Sequence, residues 1–230
     1  MKDMMGKVLS RSIEDYLKVI YKLQVDSGSA HTSAIAEALS IAAPSVSGMV
    51  KRLAEAGLLE HSRYRGVRLT EDGQKQALRM LRRHRIIESY LIEQLGFDWH
   101  NVHEEAERLE HAVSDDLIDR MDQALGRPSH DPHGEPIPTA DGKIETPHYV
   151  RMTDLDVGAT GQFRMVGDQD TERLRFIASL GLRPGVAFEV VACQPFNGPL
   201  TIRLEGDREE VVGYELASSL RCEEGSGNQQ

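Results

Sequence analysis

The stretch from Thr32 to Thr70 leaves the fewest folding options. Thr32-Ser-Ala-Ile-Ala-Glu-Ala-Leu and Ala43-Pro-Ser-Val-Ser-Gly-Met-Val-Lys-Arg-Leu read as two short helices around a turn at Ser40-Ile-Ala, which is helix-turn-helix spacing. Pro44 suits the first turn of the second helix, where its missing N–H costs nothing. Val46, Met49, Val50 and Leu53 share one face of that helix, and Pro44, Ser47, Gly48 and Lys51 the other, flanked by Ser45 and Arg52. Small polar residues at a helix N-terminus, with cations one turn later, suit insertion into a DNA major groove. Leu58 to Thr70 then reads as two strands around the tip Arg63-Tyr-Arg-Gly66. This is a wing whose Arg63 and Arg65 can reach phosphate or the minor groove. An ordinary helical hairpin is the alternative for the two helices taken alone; the basic hairpin directly behind them argues against it.

The flanks are helical. From Ser12 to Gln24, Ile13, Tyr16, Leu17, Ile20 and Leu23 fall on one face, with Ser12 as the expected N-cap. Asp15 lies on the polar side; taken alone it reads as a capping acid, because Ser12-x-x-Asp15 resembles a capping box. Thr70 should cap a long helix from Glu71 to about Leu95, with Ala77, Leu78, Leu81 and Ile87 inward. Its His84 and Glu88 form an i, i+4 pair, by itself a surface hydrogen bond.

Residues 103 to 111, His-Glu-Glu-Ala-Glu-Arg-Leu-Glu-His, carry the densest chemistry. On a helix His103, Glu107, Glu110 and His111 share one arc of about 100°, beside an apolar stripe of Val102, Ala106, Leu109 and Val113. Acids at this spacing repel one another, and a divalent cation turns the repulsion into ligation. The alternative is a solvated Glu-rich face. If His84 and Glu88 face this stripe, they complete a metal site. Gly96-Phe-Asp separates the two helices, and Ser114-Asp-Asp starts a third with Leu117, Ile118, Met121 and Leu125, giving apolar faces for a dimer.

Gly126 to Pro147 contains Pro128, Pro132, Pro136, Pro138 and Pro147, a linker by composition in which Asp131 and His133 read as solvated loop residues. Beyond it, β-rich runs at Thr160 to Val166, Ala187 to Cys193 and Leu200 to Leu204, with one helical run near Thr171 to Leu180, describe a small β-barrel. Three domains are expected in the 230 residues, at 1–72, 73–142 and 143–230. The net charge of −10 is unevenly spread: residues 1–95 hold 15 Lys+Arg against 11 Asp+Glu, and the rest 12 against 26. The basic part suits phosphate and the acidic part a cation. Two cysteines allow no disulfide framework, and no apolar run approaches the ~20 residues of a membrane span. A cytoplasmic chain without a membrane partner is expected. No Gly-rich phosphate loop, CxxC pair or nucleophile elbow marks a small-molecule substrate or a catalytic residue.

The winged motif, His84-x-x-x-Glu88, Glu107-x-x-Glu110-His111, the Pro-rich segment and the terminal barrel together resemble the diphtheria-toxin-repressor and manganese-transport-regulator family over nearly the whole chain. The resemblance implies a homodimeric repressor that binds double-stranded operator DNA when loaded with Fe(II) or Mn(II), and an SH3-like fold for the barrel. By position Asp15, His84, Glu107, Glu110 and His111 match the regulatory metal ligands. Iron-type members have Met at the Asp15 position and Cys at the Glu107 position; this chain has the hard-oxygen pair of the manganese type, which disfavours softer metals in relative terms. A further site implied by the three-domain members uses Glu88 and His103, with Asp131, His133 and Asp170 as the candidates for its remaining donors. Two positions depart from the pattern. Lys18 stands where manganese-type members can carry a Glu and cannot ligate, and Arg173 stands where the iron type has Gln.

The reading is therefore a mainly α N-terminal two-thirds, made of a winged helix-turn-helix and a helical dimerisation domain, followed by a small SH3-like β-barrel. Its function is expected to be Mn(II)-dependent regulation of metal-transport and homeostasis genes. The alternatives are an Fe(II)-responsive repressor of the same fold, a metalloenzyme using the Glu/His cluster, and a metal-independent DNA-binding protein.

Overall fold

The computed structural model describes residues 9–62, 66–167 and 170–225. The chain divides into two compact units, each assembled from separate stretches: residues 1–84, 109–113 and 138–144 in the first, and 85–108, 114–137 and 145–230 in the second.

The first unit is the winged helix-turn-helix with additions. Its helices are α1 (Arg11–Ser27), α2 (Thr32–Ala38) and α3 (Ala43–Glu55), followed by the hairpin of β1 (Leu59–Ser62) and β2 (Gly66–Leu69) and the start of α4 (Glu71–Leu95). Leu17, Ile20, Ile35, Val46, Val50, Leu53 and Val67 form its core, each such side chain adding about 1.5–3 kcal/mol on full burial. The α1 stripe is as expected, but its cap is not Ser12. Ser10 is the N-cap, its carbonyl accepting from the Ile13 and Glu14 amides. Ser12 lies inside the first turn, so the capping-box reading of Asp15 falls.

In α3 Val46, Met49, Val50 and Leu53 are buried, while Pro44, Ser45, Ser47, Lys51 and Arg52 are exposed. The hairpin pairs Leu59 with Leu69 and Ser62 with Gly66, and Ala30 adds a bridge to Val67. Gly66 has φ +80°, and a Cβ there would lie 2.6 Å from the Ala30 carbonyl oxygen, so this corner needs glycine. Arg63 and Arg65 lie outside the described residues. Thr70 caps α4 as expected, its hydroxyl accepting from the Gly73 amide at 3.1 Å.

The second unit contains the rest of α4, α5 (Val102–Leu109), α6 (Asp115–Ala124) and a small antiparallel β-domain. Ser114 caps α6 by accepting from the Leu117 amide. The helix expected through His111 stops at Leu109, leaving Glu110 and His111 in the turn that follows. The β-domain holds β3 (Val150–Arg151), β4 (Thr160–Val166), α7 (Thr171–Ser179), β5 (Ala187–Cys193), β6 (Leu200–Arg203), β7 (Glu209–Val212), α8 (Tyr214–Ser219) and β8 (Leu220–Glu224). Its six strands run in the order β3-β8-β4-β5-β6-β7, every pair antiparallel. Phe163, Leu174, Ile177, Leu182, Val190, Ile202, Val212 and Leu220 fill its core, joined by Trp99.

The segment read as a solvated linker is packed. His130 bridges Pro136, and the Val166 amide donates to the His133 carbonyl at 3.1 Å. Gly134, at φ +88°, comes so close to β4 that a Cβ would lie 1.7 Å from the Arg164 carbonyl oxygen. Proline here fixes a loop against the sheet and does not extend it into water. Among the described residues no single helix is long and apolar enough to cross a membrane.

Candidate metal centre

In the first unit α1 presents Glu14, Asp15 and Lys18, α4 presents His84, and the turn after α5 presents Glu110 and His111. The amphipathic pattern of α1 places Tyr16, Leu17 and Ile20 in the core, which leaves the three charged residues on its remaining faces. Glu110 is fully buried; the solvated-face reading of 103 to 111 is therefore wrong at this residue. Its Oε2 lies 2.5 Å from His84 Nδ1 and its Oε1 2.5 Å from Lys18 Nζ. The Arg83 guanidinium donates to its main-chain carbonyl at 3.3 Å. Burial by itself pushes the Glu110 carboxyl up, but the hydrogen bonds and charges of His84 and Lys18 outweigh it and hold the group below its ordinary value.

His111 completes the group. Its Nδ1 lies 2.7 Å from Glu14 Oε2, and since a carboxylate only accepts, Nδ1 carries the proton. In the neutral ring the Nε2 lone pair then faces Asp15 Oδ1 at 3.0 Å and Glu110 Oε1 at 3.4 Å. This buried nitrogen makes no hydrogen bond among the described residues. A lone pair turned toward two carboxylate oxygens is unfavourable until a proton or a divalent cation stands among them. Donor atoms of Asp15, Glu110 and His111 lie within 4.8 Å of one another, and two hard oxygens with one imidazole suit Mn(II), Fe(II) or Zn(II). Glu14 orients the imidazole from behind, as carboxylates do in metal sites.

The second unit holds another buried group. Of the two residues read alone as a surface pair, His84 in the first unit is 3% exposed and Glu88 in the second is 2% exposed. Glu88 Oε1 lies 3.1 Å from His103 Nδ1, and His103 Nε2 lies 3.6 Å from Glu107 Oε1. Asp131 and His133 are buried as well, which overturns their solvated reading, and with Glu88 they bring donor atoms within 4.8 Å of one another. Asp131 Oδ1 accepts from the His133 and Glu135 amides, both at 2.9 Å. His133 Nε2 donates to the Trp99 carbonyl at 2.9 Å, which leaves Nδ1 facing Glu88 Oε2 at 3.8 Å. Burial first, then the charges of Glu135 and Glu88, push the Asp131 carboxyl up to about 7 against the opposing pull of Arg85 and His133. The His133 imidazole is raised: burial works against its charged form, but Glu88 and Asp131 outweigh it. Asp170 is placed elsewhere, as the exposed N-cap of α7, accepting from the Arg173 amide at 2.9 Å.

Sequence reasoning missed several supporting residues. Glu14 gave no signal of its own. Arg85, whose guanidinium donates to Glu135 Oε2 at 2.6 Å and to the Pro136 carbonyl at 2.6 Å, was one basic residue among many. Trp99 was visible only as the chain's single tryptophan; it donates to the Pro132 carbonyl at 2.7 Å, and the Arg183 guanidinium lies 4.1 Å over its ring.

Comparison with known proteins matches three family models in sequence. An iron dependent repressor N-terminal DNA binding domain covers residues 8–67, the metal binding and dimerisation domain of the same repressors covers 70–139, and a FeoA domain covers 150–224. The chain is 30% identical over 225 residues to the iron-dependent repressor IdeR of Mycobacterium tuberculosis (strain H37Rv), covering 91% of this chain and 96% of that protein. It is 31% identical over 231 residues to the diphtheria toxin repressor of Corynebacterium efficiens, covering 96% and 99%. Among solved structures, a manganese-dependent transcriptional repressor in complex with manganese superposes with TM-score 0.87 at 37% identity, covering 93% of this chain and 100% of that one.

Proposed function

The chain belongs to the iron-dependent repressor family, whose members are metal-dependent transcriptional repressors, and from that premise we propose that it is a Mn(II)-responsive, homodimeric repressor of metal-transport genes. The observation that carries the metal reading is the His111 Nε2 atom, buried without a hydrogen bond beside Asp15 and Glu110. Asp15, Glu110 and His111 would hold the regulatory ion, with Glu107 one turn before Glu110 and with His84 in support. Its positive charge would offset the repulsion between the two carboxylates and the imidazole lone pair. Glu88, Asp131 and His133, with His103 beside Glu88, would hold a second. Asp15 and Glu107 are oxygen donors, which favours Mn(II) over softer ions in relative terms, although Fe(II) ranks higher in absolute affinity.

On DNA, Pro44, Ser45 and Ser47 stand at the exposed start of α3 and Lys51 and Arg52 one turn later, so the serines would read base edges and the cations would contact phosphate. Arg63 and Arg65, between β1 and β2 in sequence and outside the described residues, would add phosphate contacts. Asp15 and Tyr16 of α1 line one small pocket with Ser45, Met49 and Arg52 of α3, so a ligand of the ion and the recognition helix share one wall. Metal occupancy would shift the protein toward its DNA-binding state by preferring that state. This reading assigns no catalytic residue and no small-molecule substrate, and it places the protein in the cytoplasm with its operator. The test is a footprint on the protein's own promoter and on metal-transporter promoters, titrated anaerobically with Mn(II) and Fe(II). Protection should appear with Mn(II) and vanish with chelator; protection of equal strength in excess chelator removes the metal reading.

A further inference from the structure

We propose that the tip of the β5–β6 hairpin in one copy of this chain seats Phe196 in a groove on the β-domain sheet of a second copy. The tip is built against its own residue preferences. The Gly198 amide donates to the Pro195 carbonyl at 3.1 Å, closing a turn whose two central residues are Phe196 at φ +61° and Asn197 at φ +56°. Hairpin turns of this kind take asparagine, aspartate or glycine at their centre, and a bulky side chain at positive φ is strained. Asn197 and Gly198 would fit the two central places, but Gly198 is needed one place later, where a Cβ would lie 2.6 Å from the Gln194 Cβ. Phe196 is thereby held at the tip, 98% exposed, and its ring adds nothing to the core. Single exposed apolar side chains are ordinary; one kept exposed in a strained conformation points to a use outside its own domain.

The groove lies toward the other end of the same hairpin. It has a volume of about 970 Å³ and an apolar lining of Val186, Ala187, Phe188 and Leu204, with the exposed Glu205 and Glu224 beside them. Its two arginines are already paired, Arg164 with Glu223 and Arg203 with Glu189 and Glu209. Among the described residues Glu205 and Glu224 have no ion pair. The tip matches this surface: it offers an aromatic ring to the apolar lining, and to the carboxylates the amides of Phe196 and Asn197, which donate to nothing among the described residues. Register excludes the contact within one β-domain. Glu189 pairs with Arg203 at the groove and Cys193 with Leu200 beside the tip, and at about 3.3 Å per residue the strand carries Phe196 roughly 20 Å from Glu189. The tip that reaches this groove is therefore another copy's. Because tip and groove are different surfaces, the contact is head-to-tail and links copies in series, unlike a two-fold dimer face. One aromatic anchor buries less area than a lasting interface needs, so the contact is transient. Neither surface includes a metal donor named above, and the inference does not depend on the metal reading.

The test places photoreactive p-benzoylphenylalanine at position 196 of the full-length chain, with isotope-labelled and unlabelled protein mixed in equal parts before irradiation. Mass spectrometry of the digest should find residue 196 joined to residues 160–162, 185–189 or 203–205, in adducts labelled on one side only. Ala187→Trp, which fills the groove from an exposed position, should cut the yield of these adducts at least about tenfold, as shutting out an aromatic anchor does. The same photoreactive residue in place of Phe176, exposed on α7, should give no groove adduct. Phe196→Asn should raise the thermal unfolding midpoint, because asparagine tolerates positive φ better. Adducts confined to one copy, adducts between copies only outside the groove, or no adduct at all overturn the proposal. So do groove adducts that survive Ala187→Trp in full or that form equally from position 176. A lower midpoint for Phe196→Asn overturns it too, since the ring would then be packing within its own domain.

Discussion

The two buried donor groups use the same residue types and are poised differently. In the first unit Glu110 is paired with Lys18 and His84, and its carboxyl is held below its ordinary value. In the second, Asp131 accepts two backbone amides, yet burial and the neighbouring acids Glu135 and Glu88 push it up to about 7. Arg85, the nearest cation, spends its short contacts on Glu135 and the Pro136 carbonyl and lies 3.7 Å from Asp131. A fully buried carboxylate stays ionised only when a cation or donor set is committed to it. The first group therefore meets an incoming cation already charged, whereas the second holds a proton near neutral pH that a cation must displace. The lesson is that donor identity alone does not set readiness for metal; the uncommitted charge around the donors does.

The comparison is broken most directly at Asp15. Asp15→Ala should keep the fold, because Asp15 is not the cap of α1, and should weaken Mn(II)-induced operator binding by at least about 100-fold, beyond the range usual for loss of a supporting residue. Fluorescence anisotropy on operator DNA measures it, and a full Mn(II) response in the variant ends the assignment. Glu14→Gln tests the residue behind His111. Losing the carboxylate that orients the ring should weaken Mn(II) affinity by about 10-fold to 100-fold, read by calorimetry, with thermal stability nearly unchanged.

In the second group His133→Ala should remove one bound ion per subunit while leaving an operator response to Mn(II), reduced by no more than about tenfold if this site only supports the first. A larger loss than that of Asp15→Ala would reverse the ranking of the two groups. On DNA, Arg52→Ala should weaken binding to all sequences alike and reduce the salt slope by about 1. An unchanged salt slope would take Arg52 off the phosphate.

The smallest effect concerns pH and sharpens the contrast in charge. Asp131 binds its proton more tightly in the folded chain than in the unfolded one, where a value of about 3.9 is normal. Its contribution to stability is therefore fully present below pH about 3.9 and is lost as pH rises through the folded value of about 7. Asp131→Asn in the metal-free protein should remove that decline, so the stability difference between variant and wild type should move in the variant's favour from pH 5 to pH 8. Chemical denaturation across that range measures it, and a flat difference would mean that Arg85 keeps Asp131 ionised.

Much of the architecture was legible because it rests on periodicity. Val46, Met49, Val50 and Leu53 recur at helical spacing, Thr70 marks the start of α4, and β4 and β5 have the limits that their apolar runs indicate. The elements missed were β3, β7, α8 and β8, which are short or polar. Glu209–Val212 is two glutamates followed by two valines, and Tyr214–Ser219 has only six residues, so neither offers enough repeats for a period to show. The donor set was legible from residue type and spacing. Its burial was not, and three local readings failed for that reason: His84 with Glu88 as a surface pair, and Asp131 and His133 as solvated residues; Asp15 as a cap failed because Ser10 caps α1.

What the sequence determined by itself is therefore the order of elements, the face each helix presents and the kinds of donor atom available, since these follow from local spacing and side-chain chemistry. What tertiary structure decided is which charges meet. Lys18 and Glu110 are separated by 92 positions, and Glu14 and His111 by 97. No local pattern links such pairs; only packing of α1 beside the turn after α5 brings them within hydrogen-bonding reach. Burial then sets the consequences, because in a low-dielectric interior His84 and Lys18, both committed to Glu110, hold its carboxyl below its ordinary value, while Asp131, whose nearest cation is committed elsewhere, is pushed up to about 7.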